Sequence, residues 1–234
     1  MPTNTKALQV AEPAQYVAGK NAVINGAFDF WQRGTSSTAA AYLADRWFTQ
    51  TSAGTTTFAR ESSVVPTTTQ YAMKWTQTGA GAYANILQAI ETANAIQYAG
   101  KFVTLSAQMA ASTGQTATLE LYYSTTVDKG IAGGGTWVQI TASSNANFTP
   151  STTTYISAST LFQVPSTAKS LMVAITTSSI SVGTTFYVTN VQLELGSTAT
   201  PFTRNGGTIQ GELAACQRYY WRYTGSDYYF ASGG

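Results

Sequence analysis

The sequence predicts an all-β protein, an antiparallel β-sandwich of the jelly-roll kind with an extended N-terminal arm and a short aromatic C-terminal segment. Three observations carry this. Apolar residues recur at every second position in many short runs broken by Gly, Pro or Asn, a spacing that argues for a sandwich or jelly roll. A helical period is almost absent from the 234 residues. Charged residues form 9% of the chain and hydrophobic ones 44%, so the surface must be built of Thr, Ser, Asn, Gln and Gly, and β-branched Thr suits a pleated face.

Residues 1–20 have no period and contain Pro2 and Pro13; they read as an arm, either disordered or docked on a neighbouring subunit. Val23 and Ile24 open a strand, the Asn25-Gly26 turn signal follows, and Phe28, Phe30 and Trp31 supply bulk. Runs 42–50, 55–60, 70–77 and 83–90 read as strands; in the third, Met73 and Trp75 alternate with Ala72, Lys74 and Thr76. Residues 90–99 have helical propensity and predict one short helical turn. Runs 102–110, 116–125, 136–142, 154–162, 170–176 and 185–195 complete a set of roughly ten to twelve strands. In the last run Val191, Leu193 and Leu195 alternate with Gln192 and Glu194, the pattern of a half-buried strand. Gly196 ends it, Thr200-Pro201 forces extended backbone, and Gly206-Gly207 makes a loop before the segment 212–216. The sandwich is thus expected over 21–203 and a separate aromatic segment over 204–234. Loops 128–135 and 142–153 are rich in Gly or in Ser and Asn, and read as hairpin tips before binding loops.

Composition excludes several functions. A net charge of +2 with Lys and Arg scattered singly lacks the basic stripe that nucleic acid requires. The chain has no histidine, which removes Ser-His-Asp triads, Cys-His pairs and most catalytic zinc sites. The single cysteine, Cys216, cannot form an intrachain disulfide and reads as a buried thiol. No signal peptide is visible, and no run approaches the roughly 18 apolar residues of a membrane span. Synthesis in a cytoplasm is expected.

Two carboxylates could still support glycoside hydrolysis, with Asp29, Asp45, Glu61, Glu91, Glu120 and Glu194 as the candidates. Asp29 and Asp45 lie near Arg33 and Arg46 in sequence, so structural ion pairs are the expectation there. Sugar binding needs aromatic faces and polar groups. Tyr122 and Tyr123 adjoin on one strand and point to opposite faces, so one of them should meet solvent or a neighbour. Trp137, after the glycine loop, is the third glycan-binding candidate, whereas Trp31, Trp47 and Trp75 read as core. Arg218, Tyr219, Tyr220, Trp221, Tyr223, Tyr228, Tyr229 and Phe230 are too aromatic a set to stay exposed and predict a subunit interface.

Three blocks carry a resemblance. They are Asn25-Gly26-Ala27-Phe28-Asp29-Phe30-Trp31-Gln32-Arg33-Gly34-Thr35-Ser36 with Ala44-Asp45-Arg46-Trp47, then Tyr98-Ala99-Gly100-Lys101 leading into 103–107, and finally Val191 to Tyr220. In this order they resemble a family of bacteriophage tail-fibre and other virion structural proteins. The resemblance implies a jelly-roll sandwich similar to carbohydrate-binding modules, in which Asn25, Gly26 and Phe28 cross the sandwich and Trp31 anchors the core. It also implies a non-enzymatic virion protein that attaches to host-surface glycans. Assembly would be as a homotrimer, with other virion proteins met through the arm and the C-terminal segment. A capsid decoration or head-fibre protein pinned by its arm is the alternative, and a polysaccharide-degrading tailspike the third reading. Related modules often hold a structural calcium near the last strand; Asn190 stands where they place aspartate, which weakens such a site, and no cofactor is expected.

Overall fold

The computed structural model describes residues 19–222 apart from 53–55, 80, 82, 133 and 179–180. Most of the predicted arm, and Tyr223, Tyr228, Tyr229 and Phe230, therefore lie outside the described residues. In chain order the strands are β1 (Ser36–Ser37), β2 (Ala41–Tyr42), β3 (Phe48–Thr51), β4 (Thr56–Glu61), β5 (Ala72–Gln77) and β6 (Tyr83–Ile90). After the helical turn α1 (Thr92–Ala95) come β7 (Phe102–Ala111), β8 (Ala117–Ser124), β9 (Val138–Gln139), β10 (Asn147–Phe148), β11 (Ile156–Gln163), β12 (Ser170–Ser178) and β13 (Thr185–Leu195), and then helix α2 (Ile209–Gln217).

Two antiparallel sheets face each other. One has the order β1-β4-β5-β13-β7-β11, the other β10-β8-β12-β6-β3-β2 with β9 added on β8. From β6 to β8 and again from β11 to β13 the chain changes sheet at each step, as in a jelly roll. Period-two patterning sets which side each strand buries. On β8, Ala117, Leu119 and Leu121 are buried while Thr118, Glu120 and Tyr122 turn outward. On β12, Leu171, Val173 and Ile175 join the main core and Met172 and Ala174 lie on the outer face. The core is anchored by fully buried Trp47, Trp75, Phe58, Phe186, Met73 and Met109, with the Trp75 and Phe186 rings 4.7 Å apart. Burying each such side chain contributes about 1.5–3 kcal/mol.

Four features differ from the sequence expectation. The run 42–50 is two strands, β2 and β3, parted by a tight turn in which the Trp47 N–H donates to the Ala44 carbonyl and Arg46 adopts φ 74°. Val23 and Ile24 form no strand. Their segment bridges the sheets instead: Ala22 donates to the Leu193 carbonyl and Val191 to the Gly26 carbonyl, while the Gln88 amide of the other sheet accepts from Ile24 N and donates to Ile24 O, both at 2.8 Å. Strand β13 is buried on both faces up to Glu194, because residues 200–203 fold across it. Gln192 Oε1 accepts from Thr203 N at 2.8 Å, and the Glu194 carboxylate accepts from the Thr200 N–H and hydroxyl at 2.8 and 2.7 Å. Finally, 212–216 belongs to helix α2, whose N-cap Thr208 hydroxyl accepts from Gly211 N.

The opening motif ties these parts together. Asn25 takes φ 58°, which Asn tolerates better than most residues. Its Nδ2 donates to the carbonyls of Phe30 and Asp45, its Oδ1 accepts from Phe30 N, and its own carbonyl receives the Trp47 indole N–H. Gly26 is required by contact: a Cβ there would overlap the Val191 carbonyl. Phe28 is fully buried against Trp47, their rings 5.2 Å apart, and half-buried Trp31 donates its indole N–H to the Phe28 carbonyl. The Asn25 N–H and the Gly206 N–H both donate to the buried Glu212 carboxylate, so α2 is fastened to the first motif and the boundary expected at 203 is not a break in the packing.

Candidate functional site

A cleft of about 520 Å³ opens on the outer face of the six-stranded sheet. Its floor comes from three adjacent strands. Ser106 and Gln108 project from β7, Ser157 and Ser159 from β11, and Asn190 from β13. Alternation places each pair on one face. The side walls are Thr68, from the loop before β5, and the extended segment 199–202 with Arg204 beyond it.

A β-bulge between Thr189 and Gln192 aims Asn190. Asn190 sits at φ 54°, and a bulge re-directs a side chain that regular pleating would have placed elsewhere. Its Nδ2 donates to Gln108 Oε1 at 2.6 Å, while its buried Oδ1 has no partner among the described residues. The hydroxyls of Ser106, Ser157, Ser159 and Thr68 and the Gln108 Nε2 likewise make no hydrogen bond among the described residues. The cleft therefore offers donors and acceptors not consumed by the fold. Phe202 adds an apolar wall, and Arg204 is the charged lining residue, paired through Nε and a terminal nitrogen with Asp29 at 2.8 and 3.2 Å.

The donor set does not fit a calcium ion. Among the described residues the cleft lining holds no carboxylate, and a hard cation prefers ionised oxygens. Glu194 on the same strand is filled by Thr200 and by Lys20 at 3.5 Å. Among the described residues no group of three or more metal-ligating side chains converges.

The sequence-derived glycan candidates fall elsewhere. Tyr123 turns toward the main core and packs against it partly buried. Tyr122 and Trp137 do come together, on the outer face of the other sheet, around Leu87, Met172 and Ala174 with Phe48 and Ile131. There the Trp137 indole donates to the Gly130 carbonyl at 3.1 Å, pinning the glycine loop onto the sheet. Burial, and then the neighbouring Glu120 carboxylate, push the Tyr122 hydroxyl up to about 12.

Of the C-terminal candidates, Arg218, Tyr219 and Tyr220 rest against the chain's own body. Arg218 pairs with Glu91 at 2.5 Å, the Tyr219 ring lies 3.5 Å from the Arg46 guanidinium, and the Tyr220 ring 3.8 Å from that of Arg33. Trp221 is 64% exposed. The ion pairs expected within the opening motif do not form. Asp29 takes Arg204, and Asp45 accepts from the Gln32 backbone and side-chain N–H groups.

The remaining candidate carboxylates are also committed to separate partners: Glu61 to Lys74, Glu91 to Arg218, and Glu120 to Tyr122, Thr176 and Gln139. Among the described residues no helix is long and apolar enough to cross a membrane. Sequence reasoning missed Ser106, Gln108, Ser157, Ser159, Phe202 and Arg204. The alternating small polar residues of β7 and β11 were a signal that only strand register makes readable.

No sequence family matches the chain, and no curated protein is similar to it in sequence. Solved structures share its fold: the chain is a jelly-roll sandwich of the kind seen in carbohydrate-binding modules. A Bacteroides thetaiotaomicron protein provisionally assigned to sugar binding superposes with a TM-score of 0.53 at 14% identity, over 75% of this chain and 100% of that one. The C-terminal family 22 carbohydrate-binding module from a Clostridium thermocellum protein gives 0.51 at 13% identity, over 79% and 99%. The enzymatically active domain of a bacteriophage CBA120 tailspike gives 0.49 at 17% identity, over 77% of this chain and 22% of the tailspike chain.

Proposed function

We propose that the protein is a non-catalytic, glycan-binding component of a bacteriophage virion, a tail fibre or related external part that attaches to the host surface. The observation that carries the binding role is the cleft on β7, β11 and β13, where four hydroxyls, the Gln108 amide nitrogen and the Asn190 amide oxygen stand uncommitted beside Phe202. Sugar hydroxyls pair with such groups, and the C–H face of a pyranose packs on a ring. Proteins of similar fold that are named for carbohydrate binding support this reading. The virion role rests on the three sequence blocks of the phage family, and assembly as a homotrimer belongs with it.

Titration of the purified protein with host-surface polysaccharide tests the cleft. Gln108→Met and Ser159→Ala should each weaken binding by about threefold to tenfold, the value of one or two hydrogen bonds, and absence of binding by the unaltered protein would sink the proposal. Cryo-electron microscopy of the particle tests the placement. Density on the tail supports the fibre reading, whereas density on the capsid lattice favours a decoration protein.

A further inference from the structure

A second pocket, of about 230 Å³, lies at the end of the sandwich between the turn before β3 and the residues following α2. Arg33, Tyr42, Asp45, Arg46, Tyr219 and Tyr220 are among its lining residues. Both arginines lack a carboxylate partner within ion-pair distance among the described residues, although Asp45 adjoins Arg46 and Asp29 lies four residues before Arg33. Arg204 has captured Asp29, and Gln32 fills Asp45. Arg33 rests on Tyr220 at 3.8 Å and beside Tyr42 at 5.2 Å, with no hydrogen bond or ion pair among the described residues.

Arg46 rests on Tyr219 at 3.5 Å. One terminal nitrogen donates to the Ala89 carbonyl, and its buried Nε has no acceptor among the described residues. Glu91 faces this region from the start of α1, but Arg218 ties it. Tyrosine faces stabilise the guanidinium charge from above or below. They leave unfilled the in-plane N–H fork of Arg33 and the second terminal nitrogen of Arg46, and such in-plane donors match a planar oxyanion. Arg46 is also held at φ 74°, a left-handed conformation that costs a non-glycine residue energy and concentrates at functional positions.

From this geometry we infer that the pocket is a second binding site, separate from the cleft, for the carboxylate of an acidic sugar such as a uronate or sialate. Arg33 and Arg46 receive the carboxylate. Tyr42, Tyr219 and Tyr220 supply hydroxyl and ring surface that a ring-bearing ligand uses and a bare phosphate does not.

Calorimetric titration of the intact protein at low salt with glucuronic acid, N-acetylneuraminic acid, methyl glucoside and inorganic phosphate tests this. At least one sugar acid should bind about tenfold more tightly than methyl glucoside, as charge-assisted bidentate pairing requires. Arg33→Gln, an exposed position, should erase that preference with an unchanged melting temperature. Arg46→Lys, which keeps charge but loses the fork, should reduce it by a similar factor. Sugar acids binding no better than methyl glucoside, an Arg33→Gln protein that keeps the preference, or binding of phosphate with neither sugar acid would each overturn the assignment. These outcomes are independent of the cleft, whose residues the variants do not touch.

Discussion

Single residues in this chain do work that their neighbours in sequence do not predict. Glu61 is one. Burial alone would raise its carboxyl, but the Lys74 ammonium at 2.7 Å and the backbone N–H groups of Ser63 and Val64 outweigh it and hold the group at about 2, down from 4.5. A depressed folded value means that the stabilisation is complete above the unfolded value of about 4.5 and drains away as the pH falls from there toward 2. Glu61→Gln should therefore cost about 2 kcal/mol at pH 7, and the gap to the unaltered protein should close between pH 4.5 and 2 in chemical denaturation. Cys216 gives a second test. Burial first, and then the nearby acidic groups, push its thiol well above the ordinary range. Since the thiolate is the reactive form, iodoacetamide at pH 8 should leave the native protein unlabelled by mass spectrometry and label it fully in denaturant.

Elements were read from the sequence unevenly, for physical reasons. Runs with clean alternation, such as β5, β6 and β13, follow the pleat that their side chains demand. Helix α2 was not readable as a helix, because Gly211 weakens its propensity and its stability comes from tertiary anchoring of Glu212 to Asn25 and Gly206. Glu212→Ala should leave one buried and one part-buried N–H donor without acceptors and cost about 2–4 kcal/mol by urea denaturation. Gly26→Ala, whose methyl would overlap the Val191 carbonyl, should cost at least about 3 kcal/mol or prevent folding. A loss below 1 kcal/mol for either would show that the segment moves aside easily.

For the whole molecule, alternation and composition made the sandwich legible, but not the cleft. Ser106 and Gln108, Ser157 and Ser159, and Asn190 are brought together by the register of β13 and β11 on β7, and nothing local in the chain encodes that meeting. The bulge that turns Asn190 is equally invisible, since Val191 and Leu193 continue the alternation around it. Aromatic residues were the better-marked signal in the sequence, and the fold packs partly buried Tyr123 against the core and uses Trp137 to hold a loop. If the C-terminal segment joins subunits as proposed, light scattering behind gel filtration should give a trimer mass. Trp221→Ser, at an exposed position, should shift that mass toward the monomer and, with the loss of association, lower the melting temperature.

The fastening of the first motif to α2 has a mechanical side. Gly19 donates to the Asn205 carbonyl, Asn205 donates back to the Asn21 carbonyl, and Arg204 grips Asp29. Entry to and exit from the sandwich are thus clasped at one place. Tension drawn between these two flanks reaches the clasp before any strand, so the sheets that carry the cleft stay unloaded until those few bonds part. A sandwich clasped this way can be pulled hard at its two flanks while its sheets keep their shape.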